Sequence, residues 1–374
     1  MRSRSRSFNA LMSCLAAISM IPCAAQIPPP PAAAAPPMQA RPPVVFQTPP
    51  PGLPRGLIPG TIPDNDGPGA LNYIGLKAES YFRPGAFSQL DDYIAELSGP
   101  GNTLDDGRPK LQAINSAFFV YFDAWKQWQW HLTFIEDWRK ERPDSYAADI
   151  LEAIIWRSWA WHARGGGSAN TVSEEGWKLF NERAHRAAEV LDAAKAHASI
   201  TPLWYEVRLA VARDLGADRE EFMKIFTEAS KRYPDYLPLY LAATNYLSPK
   251  WHGSYEDVDA FARAMSAVSE HGKRNRFMYA RIYWHFAENQ QEDFDLFRDS
   301  RASWPQLRQS FEDLMERYPK SVWNLNAFAS FACRAGDGST YAAERAKLGD
   351  NILSDAWPDN LPAEVCDARF LKAT

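Results

Sequence analysis

The chain has 374 residues, of which 46% are hydrophobic and 13% aromatic, so it is long enough to bury a substantial core. It carries 46 acidic and 41 basic side chains, for a net charge of −5. Because binding to nucleic acids and anionic lipid surfaces depends on lysine and arginine, this balance argues against both as partners.

Residues 1–25 have the layout of a secretory signal peptide. They begin with three arginines, continue with a mostly apolar run over 8–21 and end in small residues before Gln26. The apolar run is shorter than the ~20 residues that span a bilayer, and no later segment is apolar enough. We therefore expect a periplasmic or secreted mature chain without a transmembrane span, whose net charge falls from −5 to −8 on loss of the three arginines. Lipidation of Cys23 is the alternative, which Pro22 disfavours.

Residues 26–70 are rich in proline, with runs at 28–31, 36–37, 42–43 and 49–51, and poor in large apolar side chains. Such a segment buries too little surface to offset the entropy lost on ordering. It is predicted to be a disordered, extended tether that holds the folded part away from a membrane or cell wall. A proline motif recognised by a partner is the alternative.

Two stretches of the remaining chain repeat one layout, because 226–247 and 311–332 both place Arg-Tyr-Pro at the same position. Alignment on proline reveals two weaker copies, so that four prolines mark equivalent points: Pro143, Pro202, Pro234 and Pro319. The residues eight and twelve positions before each proline lie on one helix face, and the residue before proline leaves the helical region. Ten positions after each proline stands a small residue that lets a second helix cross closely: Ala153, Ala212, Thr244 and Ala329.

Helix, stop and crossing helix are the unit of a tetratricopeptide-like repeat, whose usual length is ~34 residues. Pro202 and Pro234 are 32 residues apart, whereas Pro234 and Pro319 are 85 apart, which leaves room for a degenerate unit and an insertion. Such pairs cannot bury their apolar faces alone and must stack. We therefore predict an all-α, irregular tetratricopeptide-like α-solenoid over 71–374.

Helices are predicted for the following stretches: 86–98, 109–141 with an internal break, 145–163, 173–198, 202–214, 218–232, 236–247, 255–270, 274–288, 303–317, 321–334 and 339–354. No run alternates convincingly with period two, so no strand is predicted. Two helix starts carry capping pairs, Thr171 with Glu174 and Ser254 with Asp257.

Four cysteines occur, and Cys14 and Cys23 lie in the predicted signal peptide. Cys333 and Cys366 are left in an oxidising compartment, where they predict one disulfide between the last repeat and the C-terminal tail. Such a bond contributes roughly 3–4 kcal/mol. The alternative is a pair of free thiols with Cys333 buried. Redox catalysis is disfavoured because the spacing is not Cys-x-x-Cys.

Tryptophan is concentrated in two helical runs, which contain Trp125, Trp128 and Trp130, and Trp156, Trp159 and Trp161. Each run is apolar around most of the helix circumference, which favours core packing. A concave aromatic groove that binds sugar or peptide is the alternative.

No catalytic, metal or cofactor signature is complete. Glu182 and His185 stand one helical turn apart, but carboxylate-bridged metal sites need a second Glu-x-x-His and further glutamates. The glycines at 165–167 lack both the P-loop lysine and the G-x-G-x-x-G spacing. Neither H-E-x-x-H nor G-x-S-x-G occurs. We therefore predict no catalytic residue, no metal and no cofactor, and favour a protein that is not an enzyme.

The loop 248–254 combines a proline stop, a tryptophan, a histidine and a capping serine between two helices. One interpretation is a structural loop with its tryptophan packed inward, and the other is a ligand loop. If the chain has a small-ligand site, we expect it here and on the nearby aromatic helix, at these residues: Trp251, His252, Trp159, His162 and Arg164.

The same loop carries a family resemblance. Pro249-Lys-Trp-His-Gly-Ser254 resembles the Pro-[Arg/Lys]-Trp-Gly-Gly-Ser element of bacterial proteins grouped as domain of unknown function 4034, with His252 in place of glycine. Other elements resemble that family in the same order: Pro143-Asp-Ser145, Ala160-Trp-His-Ala-Arg-Gly165, Tyr279-Ala-Arg-Ile-Tyr-Trp284, Asn324-Leu-Asn-Ala-Phe-Ala329 and Phe331-Ala-Cys333. The resemblance covers roughly 80–370 and implies helical repeats. It transfers no functional residue, because the family has no established activity, substrate or cofactor.

Three functional hypotheses follow. The first is an exported, non-enzymatic module or scaffold of the cell envelope that binds an unidentified protein or peptide, because solenoids present long concave surfaces. The second is an envelope enzyme or sugar-binding protein with an aromatic-lined pocket near Trp251 and His252. The third is an immunity-type inhibitor of a secreted toxin.

Overall fold

Sixteen α-helices follow one another in the computed structural model, which describes residues 65–267, 269–270, 273–291 and 293–371. The predicted signal peptide and nearly all of the predicted tether lie outside these residues. The helices are α1 Gly67–Phe82, α2 Phe87–Leu97, α3 Gln112–Trp125, α4 Trp128–Glu141, α5 Tyr146–Arg164, α6 Glu174–Ala198, α7 Pro202–Asp214, α8 Arg219–Arg232, α9 Leu237–Tyr246, α10 Tyr255–Ala267, α11 Phe277–Glu288, α12 Leu296–Asp299, α13 Trp304–Arg317, α14 Val322–Arg334, α15 Gly338–Leu348 and α16 Ala363–Phe370.

The helices stack as the repeat predicts. In one row, α1, α3, α5, α7, α9 and α11 each contact the next member of that row. In a second row, α6 and α8 pack against the helices that precede and follow them in the chain, and α4 and α10 pack against the helix that follows each. The domain is therefore all-α and built from stacked helical pairs. Among the described residues, no helix combines the length and the apolar character needed to cross a membrane.

The proline alignment locates the core. The residues eight positions before the prolines are all buried: Ile135, Ala194, Phe226 and Phe311. The small residues ten positions after them are at most 1% exposed, at the points where the second helix of each pair crosses: Ala153, Ala212, Thr244 and Ala329. Both sets were predicted from spacing alone and are confirmed.

Several helix ends differ from the predicted ones. The break within 109–141 falls at Lys126, which has a left-handed backbone with φ of 53°. The start of α6 is capped by Ser173, whose Oγ accepts a hydrogen bond from the Gly176 N–H at 3.0 Å, so the predicted Thr171 cap is wrong. Ser254 caps α10 as predicted, since its Oγ accepts from the Asp257 N–H at 3.1 Å.

A short antiparallel hairpin separates α10 from α11. Its strands are β1 Ser269–Glu270 and β2 Lys273–Arg274. The predicted helices 255–270 and 274–288 are therefore too long at these ends, because ladder pairing uses the backbone groups that helical turns would need. Three helices had no sequence prediction: α1, α12 and α16.

The start of the described chain packs against its last repeat. Asp66 accepts hydrogen bonds from the Ser321 Oγ at 2.7 Å and from the Trp323 N–H at 2.9 Å. Fully buried Asp106 accepts from the Gly67 N–H at 3.1 Å through its carboxylate. The Asp106 carbonyl also accepts from the Asn324 amide at 3.1 Å. The bonds to Ser321, Trp323 and Asn324 join residues more than 200 positions apart, so the stack of repeats closes on itself.

Gly107 shows how tight this closure is. Its φ is +89°, a conformation that favours glycine. A Cβ built at this position would lie 2.2 Å from the ring of Tyr318, which precedes α14. The closing contact therefore leaves no space for a side chain here.

Candidate binding groove

Two adjoining clefts lie near the C-terminal end of the described chain, with volumes of about 220 Å³ and about 270 Å³. They share Phe294, Arg334, Pro358 and Asn360, so together they form one groove, which we call the C-terminal groove. Each cleft is smaller than the ~300–1,000 Å³ typical of small-molecule sites. The groove therefore suits successive side chains of an extended ligand better than one enclosed molecule.

One wall of the C-terminal groove is formed by the end of α11, the connection after it and α12, at 287–288, 290–291 and 293–298. Asp295 caps α12 within this wall, because its carboxylate accepts hydrogen bonds from two backbone N–H groups at 3.0 and 3.1 Å. The ring of Phe294 packs on that of Phe286 in α11, with 5.9 Å between centroids. The wall is thus attached to the helix that precedes it.

The other wall is the segment 355–361. Asn326, fully buried in α14, holds it through its side-chain amide. The Asn326 Oδ1 accepts from the Leu353 N–H at 3.0 Å and from the Trp357 Nε1 at 3.1 Å, and its Nδ2 donates to the Asn351 carbonyl at 2.9 Å. One buried amide therefore fixes this segment to the helix beneath it.

A disulfide adds a second attachment. Cys333 in α14 is bonded to Cys366 in α16, the pair considered in the sequence. Cys333 directly precedes Arg334 in the groove floor, and Cys366 follows the second wall. The bond therefore ties the C-terminal segment to the helix that carries the floor.

Arg334 lies where the two clefts meet, because it lines both. Its guanidinium lies 5.2 Å from the centroid of the Phe331 ring. Burial lowers the pKa of this guanidinium, against the opposing influence of Asp295 and Glu288. In the part of the chain that the structure describes, no carboxylate lies within the 4.0 Å of an ion pair with Arg334.

Other arginines whose pKa burial lowers have oxygen partners. Arg157 pairs with Asp214 at 2.6 Å. Arg183 donates to the Trp159 carbonyl at 3.0 Å, and Arg281 donates to the Asp106 carbonyl. Arg334 lines the groove, and no such oxygen partner is found for it among the described residues.

Carboxylates surround this arginine along the groove: Glu288, Asp355, Asp359, Asp293 and Asp295. The second arginine of the groove, Arg298, is already paired with Asp299 at 2.6 Å. Burial raises the pKa of Glu288, although Arg108 and Arg334 act to lower it. The groove is therefore acidic along its walls and has one cation in its floor.

The structure places Trp251 and His252 elsewhere. The Trp251 ring meets that of Trp161 edge-on with 5.9 Å between centroids, and the Arg213 guanidinium lies 4.3 Å from its centroid. The exposed His252 ring stacks on Tyr246 at 4.8 Å, and burial of part of the ring lowers its pKa. Both rings thus pack against neighbouring side chains.

The other three candidates divide between two faces of α5. Arg164 donates to the Gly165 and Gly167 carbonyls and lies over Trp161, the neighbour of Trp251. Trp159 instead stacks on Trp128 and Trp156, with 5.9 and 5.4 Å between centroids. His162 lies on this second face, with its Nδ1 2.9 Å from the Asp123 carboxylate. The five candidates therefore do not form one site, and none of them lines the C-terminal groove.

The two tryptophan runs are less buried than core packing predicts. Trp128 is 7% exposed, whereas the other five are half-buried: Trp125, Trp130, Trp156, Trp159 and Trp161. They contribute rings to the edge of the core and to the surface above it.

Sequence reasoning also missed a row of enclosed polar side chains on α7, α9 and α11. The Glu206 carboxylate accepts hydrogen bonds from Asn115 at 2.7 Å and Tyr236 at 2.6 Å, and burial raises its pKa to about 7. His285 lies 3.1 Å from Asn245, and burial lowers its pKa to about 4. The signal was present, because Glu206 interrupts the otherwise apolar start of α7.

Among the residues that the structure describes, no three His, Cys, Asp or Glu side chains converge to hold a metal ion. No family model matches the chain, and no curated protein or solved structure matches it either. The resemblance to domain of unknown function 4034 therefore stays a prediction. The groove's carboxylates, amides, aromatic edges and the Arg334 guanidinium are suited to binding.

Proposed function

We propose that this protein is an exported helical-repeat module that binds an extended segment of another protein or peptide in the C-terminal groove. The observation that carries the proposal is the continuity of the two clefts. Each is small, they share four lining residues, and one wall is attached to α11 and the other to α14. Fixed walls favour binding, because little ordering entropy is lost when the ligand enters.

Export is proposed on two grounds. Residues 1–25 have the composition of a signal peptide. The disulfide between Cys333 and Cys366 is of a kind that persists in oxidising compartments such as the periplasm.

The enzyme and sugar-binding hypotheses have weaker support. Stacking a sugar requires an open aromatic face. Arg213 lies over Trp251, and Trp159 is covered by two tryptophans and by Arg183 at 4.1 Å. These contacts favour a structural role for both tryptophans.

Peptide binding is tested by selecting a random displayed peptide library on the immobilised full-length protein. Two variants place a tryptophan in the groove, Ala287→Trp and Gln291→Trp, and one control places it at exposed Glu220 on α8. We expect selected peptides to bind the wild type and Glu220→Trp equally and to bind both groove variants at least about tenfold more weakly. Thermal unfolding checks that each variant is folded. Peptides that bind folded groove variants as tightly as the wild type would contradict the proposal.

A further inference from the structure

Arg334 is placed to receive a negative charge that the described protein does not provide. It is half-buried, lies over an aromatic ring and lines both clefts. A half-buried cation has lost part of its hydration, and a carboxylate that arrives with a ligand offsets this cost. The planar guanidinium also offers two parallel N–H donors, which match a carboxylate.

The nearest acids of the groove are not arranged to serve as this partner. Asp295 uses its carboxylate to cap α12. Glu288 lies beyond ion-pair distance of Arg334. The acceptor for Arg334 is therefore expected to come from outside the chain.

The position of Arg334 favours an acidic side chain of the peptide over its terminal carboxylate. A peptide that ended at Arg334 with its terminal carboxylate would leave one of the two clefts empty. An acidic side chain in the middle of an extended segment reaches the floor while the peptide continues through both clefts. Alternate side chains of an extended segment point to opposite faces, so one side chain can enter the floor while its neighbours face the walls.

The walls carry the opposite charge to the floor. Glu288, Asp355 and Asp359 line the first cleft, and Asp293 lines the second. A bare anion would be repelled by these groups, whereas basic side chains on either side of the acidic residue would be attracted. Charge complementarity thus describes a segment with an acidic centre and basic flanks.

Building on peptide binding in the C-terminal groove, we propose that Arg334 selects an aspartate or glutamate at the centre of the bound segment, and that the wall carboxylates select lysine or arginine on both sides of it. The competing explanation is purely structural. Arg334 ends α14, where a cation interacts favourably with the helix dipole. That role would affect stability but not the choice of ligand.

The test compares library selections on the full-length wild type, Arg334→Gln and Arg334→Lys, with Arg298→Gln as the matched control. Arg298 lines the same groove but is paired with Asp299. We expect the wild type and Arg298→Gln to enrich peptides with an acidic residue between basic ones. We expect Arg334→Gln to lose the preference for a central acidic residue and to keep the preference for basic flanks. The acidic preference of Arg334→Lys should lie between those of the wild type and Arg334→Gln.

One enriched peptide is then resynthesised with both termini blocked, together with its acid-to-amide analogue. The amide should bind the wild type at least about tenfold more weakly, since a charge-assisted hydrogen bond contributes about 1.5–3 kcal/mol. Acid and amide should bind Arg334→Gln equally, which shows that the two groups interact directly.

Three outcomes would overturn this assignment of Arg334. The first is enrichment of peptides without an acidic centre whose binding the Ala287→Trp and Gln291→Trp variants still block; peptide binding in the groove would survive that result. The second is loss of binding when the C-terminus is blocked, which would indicate a terminal carboxylate. The third is the absence of any groove-dependent peptide, which would overturn the proposed function as well.

Discussion

His131 is fully buried in α4, and neither ring nitrogen has a hydrogen-bond partner among the described residues. Its neighbours are aromatic, with Phe122 at 4.9 Å and Trp130 at 5.1 Å between ring centroids. Burial alone lowers the pKa of the ring to about 3. The histidine must therefore stay neutral in the folded protein at every pH above that value.

This makes folding sensitive to acid. The folded pKa of about 3 lies below the unfolded value of 6.5, so the unfolded state binds more protons between the two, and stability falls as the pH drops below 6.5. Replacement by an apolar ring, His131→Phe, removes this loss. Between pH 7.5 and 4.5, urea unfolding should show the wild type losing about 2 kcal/mol more than His131→Phe.

The control for that comparison is His185→Phe, at an exposed position on α6. It should follow the wild-type pH dependence. A His131→Phe protein that loses as much stability as the wild type on acidification would show that the His131 ring can be charged in the folded state.

Glu206 has the opposite dependence on pH. Burial raises its folded pKa to about 7, above the ordinary 4.5, so the folded state holds the extra proton between these values. Its stabilising contribution is full below pH 4.5 and is lost as the pH rises to 7. Glu206→Gln does not titrate and keeps one oxygen acceptor for Asn115 or Tyr236. From pH 5 to pH 8, the variant should gain about 1–2 kcal/mol relative to the wild type in urea unfolding.

Glu220→Gln, at an exposed position on α8, serves as the control and should stay parallel to the wild type. A constant difference between Glu206→Gln and the wild type across this pH range would mean that Glu206 is ionised in the folded protein at pH 5.

Among the elements, the second wall of the groove, 355–361, is held by two kinds of attachment, hydrogen bonds and a disulfide. Asn326 fixes Leu353 and Trp357 through hydrogen bonds, and the disulfide fixes α16. Within the described residues, α16 is eight residues long and would be marginal as an isolated helix. The covalent bond is therefore expected to matter for the position of the wall as well as for overall stability.

The paired change Cys333→Ser and Cys366→Ser should lower the free energy of unfolding by about 3 kcal/mol, as expected for a loop closed across 33 residues. It should also weaken groove-dependent peptides, because the second wall becomes less fixed. Calorimetry and peptide titration measure the two effects. Reductant should reproduce both in the wild type and change nothing in the double variant. Unchanged peptide affinity in the folded double variant would show that the wall is held without the bond.

At the scale of the whole molecule, the stack of repeats closes through Asp106. Its carboxylate pairs with Arg108 at 2.7 Å, and its carbonyl accepts from Arg281 and Asn324. Burial acts to raise the pKa of Asp106, but Arg108 beside it holds the pKa below its usual value. The closure therefore depends on a buried charge that is fully paired.

Removal of that carboxylate, Asp106→Ala, should cost about 3–5 kcal/mol because it leaves the largely buried Arg108 side chain, 16% exposed, uncompensated. The adjacent Asp105 is exposed, and its carboxylate accepts a hydrogen bond from the Asn65 side-chain amide at 2.9 Å, so Asp105→Ala is the matched control and should cost less than about 1 kcal/mol. Urea unfolding compares the two. Equal losses in the free energy of unfolding would show that the Asp106 carboxylate stabilises the protein no more than the exposed Asp105 does.

Much of this architecture was accessible from the sequence because local rules determine it. The proline anchors fixed the helix ends, and buried Phe226 and Phe311 occupy the positions that the alignment predicts. The first helix escaped prediction because it begins with Gly67 and Pro68, next to a proline-rich stretch whose composition indicates disorder. Composition is averaged over many residues and cannot locate the boundary between the proline-rich stretch and α1. The helix start is fixed instead by Asp66 and Asp106, through contacts that are distant in sequence.

The groove was not accessible in the same way. Its walls, 287–291 with 293–298 on one side and 355–361 on the other, lie outside the repeat pattern and meet only in the folded chain. In the sequence, Arg334 is an ordinary arginine at the end of a helix. Only the folded chain shows that no carboxylate of the described residues lies within ion-pair distance of it. Conversely, Trp251 and Trp159 stood out by composition, but their rings pack on neighbours that the sequence places far away.

The most direct test of peptide binding in the C-terminal groove is amide hydrogen exchange on the full-length protein, with and without a saturating selected peptide. We expect protection at 287–298 and 355–361, and no change at 156–162 or 248–254. Protection confined to either of the latter segments, or no protection at saturation, would contradict the account and place the binding surface elsewhere on the domain.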